Sequence, residues 1–161
     1  ADNTHITGGS GADTITGGTG SNTITGSGGI DALSGGGGAD TFVFDLSDTG
    51  LTVSTMDRIL DFNTGDTLTF NVNVGGNGGN YVEANGAVGA GILGSAFVTK
   101  AGEAFAAGAE IYFVASIGGT DDGYLAVDMD NSGAVDTGDI FLNLTGFNDL
   151  DDLSAADINF I

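Results

Sequence analysis

Apolar residues recur at a fixed interval near the start of this chain. Ile15, Ile24, Leu33 and Phe42 stand nine residues apart, each at the eighth position of a glycine-rich unit: GGSGADTIT (8–16), GGTGSNTIT (17–25), GSGGIDALS (26–34) and GGGGADTFV (35–43). The last three residues of each unit read as a short strand that points its central apolar side chain into a narrow core. A flexible Gly/Ser/Thr linker has a similar composition, but it has no reason to hold an apolar residue in phase across four units. Asn3–Thr7 reads as the tail of an earlier unit, with Ile6 at the core position and Thr4 at the position of the acidic residue. The chain is therefore expected to begin inside a coil, either because further sequence precedes it or because the open end docks on another subunit.

Beyond the repeats, Leu68, Phe70, Val72 and Val74 alternate with polar residues, the pattern of a half-buried strand. Strands are also predicted over 111–115, 124–127 and 140–144, with a loop at 75–80. The one candidate helix, 94–107, is weakened by Gly102. The reading is mostly β.

The repeat has a chemical reading as well. Glycines at its first, second and fourth positions permit positive φ, so the backbone can turn sharply and direct carbonyl oxygens inward. Asp13, Asp31 and Asp40 at the sixth position add carboxylates, completing the hard, oxygen-only ligand set that Ca2+ accepts. Two units make one coil, so turns on one side come from alternate units. Asp13 is expected to share an ion with the turn of Asp31, and Asn22 with the turn of Asp40. Asn22 keeps an oxygen but loses a charge, which predicts the weaker site.

Charge strengthens this picture. Twenty-two acidic residues face only Arg58 and Lys100, a formal net charge of -20. Such a balance repels nucleic acid and anionic membranes, and it opposes compaction unless cations neutralise it. Thirty-one glycines raise the entropy cost of ordering the backbone, so folding is expected to be coupled to ion binding in a calcium-rich exterior. The absence of cysteine leaves no disulfide or thiol chemistry. Residues 1–7 lack the basic start and apolar stretch of a signal peptide, and 86–98 is too short and glycine-rich to span a bilayer.

The nonapeptides, Asp40-Thr-Phe-Val-Phe, Asp57-Arg-Ile-Leu-Asp-Phe with Gly65-Asp66 following, and Leu153-Ser-Ala-Ala-Asp157 together resemble the C-terminal region of RTX proteins exported by type I secretion. That region is also found behind the catalytic part of serralysin-type proteases. The resemblance covers both ends of the chain and covers 75–109 poorly. It implies an all-β fold in which a parallel β-roll (1–44) continues into an antiparallel β-sandwich (45–161), with an uncleaved export signal at the C-terminus. It also implies that carbonyls of Gly8, Ser10, Ser27 and Gly29 join Asp13 and Asp31 around an ion. Those of Gly17, Thr19, Gly36 and Gly38 would join Asn22 and Asp40, and Asp57 would close the last site of the roll. The ending Asp157-Ile-Asn-Phe-Ile161 is similar to the acidic-then-apolar ending of such export substrates, although Asn159 interrupts its apolar run.

A second calcium motif lies at 128–139. Asp128, Asp130 and Ser132 fit the side-chain positions of a twelve-residue EF-hand loop, Gly133 the bend, Ala134 the backbone carbonyl, Asp136 a direct or water-bridged contact and Asp139 the closing carboxylate. Aspartate rather than glutamate closes the loop, as in dockerin modules. Its flanks read as strands, so no helix pair is expected. A plain acidic turn between two strands is the competing reading.

Catalytic chemistry finds no support in the residue pattern. His5 is the sole histidine and sits on a strand flank, with no cysteine or second histidine to join it and no nucleophile elbow to serve. The clustered carboxylates read as ion sites rather than as glycosidase pairs. The expected protein is not an enzyme. It is a secreted, calcium-dependent structural protein that uses the type I secretion machinery and self-associates into a surface layer, filament or matrix. The alternative is the folding and export module of a larger secreted protease or lipase; a calcium-dependent adhesin is a third reading, for which no pocket signature is present.

Overall fold

The computed structural model describes residues 3–46, 48–52, 54–71, 81–83, 101, 111–115, 122–130, 132–147 and 153–161. Its strands are β1 His5–Thr7, β2 Thr14–Gly18, β3 Thr23–Thr25, β4 Ala32–Gly36, β5 Thr41–Asp45, β6 Asp57–Ile59, β7 Thr67–Asn71, β8 Tyr81–Glu83, β9 Ile111–Ala115, β10 Gly123–Val127, β11 Ile140–Leu144 and β12 Ile158–Phe160. They form two sheets, ordered β1-β3-β5-β7-β12 and β2-β4-β6-β11-β10-β9-β8. Successive strands of the first half alternate between the sheets, so two strands and two turns make one coil.

Parallel pairing carries this coil, and its register is set by the nine-residue period. Ile6 lies beside Ile24, Ile24 beside Phe42 and Phe42 beside Leu68 in one sheet. In the other sheet Ile15 lies beside Leu33, and Leu33 beside Ile59. Because side chains alternate faces along a strand, each of these residues points inward while its Thr, Ala or Ser neighbours point outward. Ile24, Leu33, Phe42, Ile59 and Leu68 are fully buried. Ile59 and Leu68 lie beyond the four clear repeats, yet they continue the same two columns.

The described residues of the second half extend both sheets and pack against the same core. β11 adds to β6 in parallel, with Leu142 beside Asp57, and then pairs antiparallel with β10, which pairs antiparallel with β9. Antiparallel pairing is confined, among the described residues, to β9, β10 and β11; β8 lies parallel to β9. A 3-10 turn, Ala155–Asp157, opens with a capping box in which the Ala156 N–H donates to Ser154 Oγ and the Ser154 N–H donates to Asp157 Oδ2. The turn delivers β12 parallel onto β7. One apolar cluster runs from Ile15 through Phe42 and Leu68 to Val127, Leu142 and Ile158. Phenylalanines join its parts: Phe62 meets Phe147 edge-on at 5.3 Å, and Phe70 lies 5.7 Å from both Phe44 and Phe160.

Val72, Val74 and the loop at 75–80 lie outside the described residues. So does the helix expected at 94–107, apart from Ala101, which is buried.

Phe42 sits at the centre of the column, flanked by Ile24 and Leu68 in its own sheet. Phe42→Ala is expected to cost about 3–5 kcal/mol of stability in saturating calcium, measured by denaturant unfolding. A loss below about 1 kcal/mol would show that the column is not the core.

Candidate metal sites

The turns between sheets stack on two edges of the roll. One edge carries 8–13, 26–31 and 46–56; the other carries 19–22, 37–40 and 60–66. On both, an aspartate takes a backbone N–H from the coil before it. The Asp13 N–H donates to Asp31 Oδ1 at 2.8 Å, and the Asp31 N–H to Asp57 Oδ1 at 2.8 Å. On the opposite edge the Asn22 N–H donates to Asp40 Oδ1 at 2.7 Å, and the Asp40 N–H to Asp66 Oδ1 at 2.9 Å. Each carboxylate thus ties neighbouring coils together through one oxygen.

Its second oxygen is the chemically informative atom. Oδ2 of Asp31, Asp40 and Asp57 is buried and has no hydrogen-bond partner. Burying a charged oxygen without a donor costs several kcal/mol, so each site calls for a proton or a cation. Asp57 is wholly buried, and its carboxyl is pushed up to about 7, first by burial and then by the charges of Asp31 and Asp48, against the lowering effect of the Asp31 N–H. Asp31 is raised as well, by burial first.

Glycine brings the turns close enough to share a ligand. Gly29 has φ +149°, and a Cβ there would stand 2.5 Å from the Gly11 carbonyl oxygen; a Cβ at Gly8 would stand 2.5 Å from that of Gly26. No side chain fits either gap. Each close approach sets a carbonyl oxygen of one turn against a glycine of its neighbour, near Asp13 in one case and Asp31 in the other, and such oxygens are of the kind that calcium accepts. Gly8, Ser10 and Asp13 lie on one of these turns, and Ser27, Gly29 and Asp31 on the next; Ser27 itself takes a left-handed φ of 64°.

Gly17 lies in β2 and Gly36 ends β4; the edge that follows them, bearing Thr19, Asn22, Gly38 and Asp40, is built alike but differs at one atom. Asn22 Nδ2 donates to the Gly20 carbonyl at 2.6 Å and the Gly35 carbonyl at 3.3 Å, and lies 3.0 Å from Asp40 Oδ1. Gly20, Gly35 and Asp40 are the counterparts of Gly11, Gly26 and Asp31. Asn22 Oδ1 meanwhile accepts the Thr4 N–H at 3.2 Å, which holds the amide in this orientation. Asn22 was expected to offer an oxygen to a shared ion. The structure has it presenting N–H donors to those oxygens, because the Thr4 donor claims the amide oxygen.

The loop 128–139 closes the β10–β11 hairpin, so its flanks are strands. One carboxylate oxygen from each of Asp128, Asp130 and Asp139 lies within 4.8 Å of the others. Asp128 and Asp139 are buried and Asp130 is exposed. Gly133, at φ +73°, makes the bend, and its N–H reaches Asp128 Oδ2 at 3.0 Å. Ser132 Oγ bridges the Ala134 carbonyl and Asp136, and the Asp136 N–H donates to Asp139 Oδ2 at 2.8 Å. Burial first, and then the charges of Asp128 and Asp136 against two backbone hydrogen bonds, pushes the Asp139 carboxyl up to about 7. Of the six predicted residues, the structure brings the carboxylates of Asp128, Asp130 and Asp139 together, an arrangement that suits a hard cation, while Ser132, Ala134 and Asp136 are engaged with one another.

His5 is exposed, with Nε2 3.5 Å from Thr7 Oγ1. Sequence reasoning passed over three acidic residues placed along the two edges: Asp48, Asp61 and Asp66. The signal for Asp66 was present, since it follows Asp57 by the repeat interval of nine.

Residues 2–45 match the family model of the RTX calcium-binding nonapeptide repeat, in four copies. This segment is an RTX β-roll, and Ca2+ is the ion its repeats bind. Among solved structures, the chain is similar to the solution structure of the AlgE6R3 subunit from the Azotobacter vinelandii mannuronan C5-epimerase, at 24% identity over 97% of this chain and 77% of that one, with a TM-score of 0.37. No significant match was found among curated proteins.

Two predictions follow from the buried carboxylates. Asp31→Ala is expected to raise the calcium midpoint of folding by about tenfold or more, because it removes a charged ligand and a tie between coils. Asn22→Ala should move that midpoint less; equal shifts in calcium-titrated circular dichroism would contradict the ranking. Asp57 and Asp139 have folded-state values of about 7 against the ordinary 3.8. In that window the folded form holds protons the unfolded chain has released, so calcium-free stability is fullest below about 4 and is lost as pH rises through about 7. Calcium-free protein should therefore gain structure on acidification from about pH 8 to about pH 5, followed by circular dichroism, and loss of structure over that range would refute this.

Proposed function

We propose that this chain is an extracellular scaffold that leaves the cell unfolded through the type I secretion machinery and folds when it meets millimolar calcium outside. RTX repeats are typical of secreted proteins, and the calcium-binding segment at 2–45 supports that location. The observation that carries the reading is the set of buried, unpartnered Oδ2 atoms on Asp31, Asp40 and Asp57. These atoms make the folded state costly where calcium is scarce and favourable where it is plentiful. Asp13, Asp31 and Asp57 on one edge, Asp40 on the other, and Asp128, Asp130, Ser132, Ala134, Asp136 and Asp139 in the hairpin loop are the residues to which we assign ion binding.

Once folded, the chain self-associates into a layer, filament or matrix in this reading. Ile30 and Leu46 support it: they are 47% and 50% exposed, and they lie on turns of the same edge. Ions can also screen the charge of -20 that otherwise keeps copies apart.

Circular dichroism and analytical sedimentation with and without chelator test both parts. Chelation is expected to abolish the β signal and expand the chain, and calcium is expected to restore a compact form that sediments as oligomers. A spectrum and hydrodynamic size indifferent to chelator would overturn calcium-driven folding. A compact monomer in millimolar calcium would remove self-association and leave a folding and export module.

A further inference from the structure

The carboxylate ladder on one edge ends on a hydroxyl. The Asp13 N–H donates to Asp31 Oδ1 and the Asp31 N–H to Asp57 Oδ1, each at 2.8 Å. The Asp57 N–H continues the series, but its acceptor is Thr49 Oγ1 at 2.9 Å. Asp40 is the sixth residue of its unit, and counting nine on from it reaches Thr49, where the repeat would place its next aspartate or asparagine. The first tie of this ladder spans 18 residues and the second 26. On the other edge the ties from Asn22 to Asp40 and from Asp40 to Asp66 also span 18 and 26. The same eight-residue increase on both edges marks one insertion, after which the coil resumes in phase at Asp57 and Asp66. Within the insertion the chain turns back, so Thr49 follows Asp57 in the ladder although it precedes it in sequence.

The main chain on either side of Thr49 is tied down. The Asp48 N–H donates to the Asp45 carbonyl at the end of β5, and the Gly50 N–H to the Thr55 carbonyl just before β6, both at 3.1 Å. Thr49 is only 6% exposed, and its hydroxyl donates to the Phe141 carbonyl in β11 at 2.8 Å. A hydroxyl accepts and donates at once, whereas an ionised carboxylate only accepts. Aspartate at this position would set an acceptor against the Phe141 carbonyl. It would also add a charge beside Asp57, which already feels those of Asp31 and Asp48. The opposite ladder ends differently, because the Asp66 N–H donates to the Asn63 carbonyl of its own turn at 3.0 Å.

We propose that Thr49 is a positioning residue for calcium: it closes the ladder, docks it on β11 and holds Asp57 so that the free oxygen of its carboxylate is available to an ion. Asp57 is anchored at two atoms, its N–H by Thr49 and its Oδ1 by the Asp31 N–H. Oδ2 is the oxygen left without a donor, and the two anchors fix where it lies. Thr49, with its accepting and donating roles both used, is not itself a ligand. Removing a group that orients a metal ligand without touching the ion weakens binding by roughly tenfold to a hundredfold.

The inference rests on calcium binding by the roll, and one set of measurements separates the two. Calcium isotherms from equilibrium dialysis, with bound ions counted by native mass spectrometry, are compared for the full chain, Thr49→Val, Thr49→Ser, Asp57→Asn and the Thr49→Val, Asp57→Asn double variant. Valine keeps the shape of threonine and removes both hydrogen bonds; serine restores them. Thr49→Val is expected to weaken one site by about tenfold or more and leave the others unchanged, with Thr49→Ser binding like wild type. The effect of valine on affinity is expected to vanish once Asp57 is replaced, because it acts through that residue. Four results would each overturn the proposal: an unchanged isotherm in folded Thr49→Val, a parallel weakening of every site, a serine variant as weak as valine, or a valine effect that persists in the Asp57→Asn background. A wild-type chain that binds no calcium would instead overturn the reading of function beneath it. Should Thr49→Val not fold at any calcium concentration, a crystal structure of the calcium-loaded wild-type chain decides. An ion on Asp57 Oδ2 with the Thr49 hydroxyl still accepting the Asp57 N–H supports positioning; no ion there, or one bound by Thr49 Oγ1 itself, overturns it.

Discussion

A carboxylate with one oxygen tied to the backbone and the other sealed away from water is the constraint on which this protein turns. Asp31, Asp40 and Asp57 each meet that description. The tied oxygen holds the coils in register. The sealed oxygen is tolerable only when protonated or beside a cation, because neither water nor a protein donor reaches it. With 22 acidic residues and two basic ones, the chain has almost no cation of its own to offer. A proton or a bound cation is what the folded roll needs at these oxygens.

The same edge joins the roll to the rest of the fold. Thr49 Oγ1 accepts the Asp57 N–H at 2.9 Å and donates to the Phe141 carbonyl at 2.8 Å. It links the insertion, the last carboxylate of one edge and strand β11. β11 in turn begins where the loop 128–139 ends and pairs with β6, the strand that starts at Asp57. The hairpin loop and the last coil of the roll therefore meet in one sheet. The two edges are not equivalent: one presents carboxylates at successive turns, while the other opens with an amide that supplies its own donors.

Much of this was legible from the residues alone. The interval of nine placed Ile15, Ile24, Leu33 and Phe42 in the core and Asp13, Asp31 and Asp40 in turns. The offset of two units predicted which turns would meet. The hairpin loop could be read because its six positions fall within twelve consecutive residues and its flanks are β-formers. These features are local, or periodic over short distances, so the order of residues specifies them before any long-range contact forms.

Tertiary structure decided the remainder. An eight-residue insertion hides the resumption of the coil at Asp57 and Asp66, and only the parallel docking of β6 on β4 and of β7 on β5 shows that they continue the two edges. Amide orientation at Asn22 depends on the Thr4 N–H, which lies 18 residues away in the chain. Parallel addition of β11 to β6 and of β12 to β7 depends on which sheet edge is open when those strands arrive, a matter of packing rather than of their own composition. The chain on its own specified an acidic, glycine-turned coil with a second acidic loop. Which oxygens are left without donors was settled by the stacking of one coil on the next, because a hydrogen bond is spent on whichever partner the fold brings within reach.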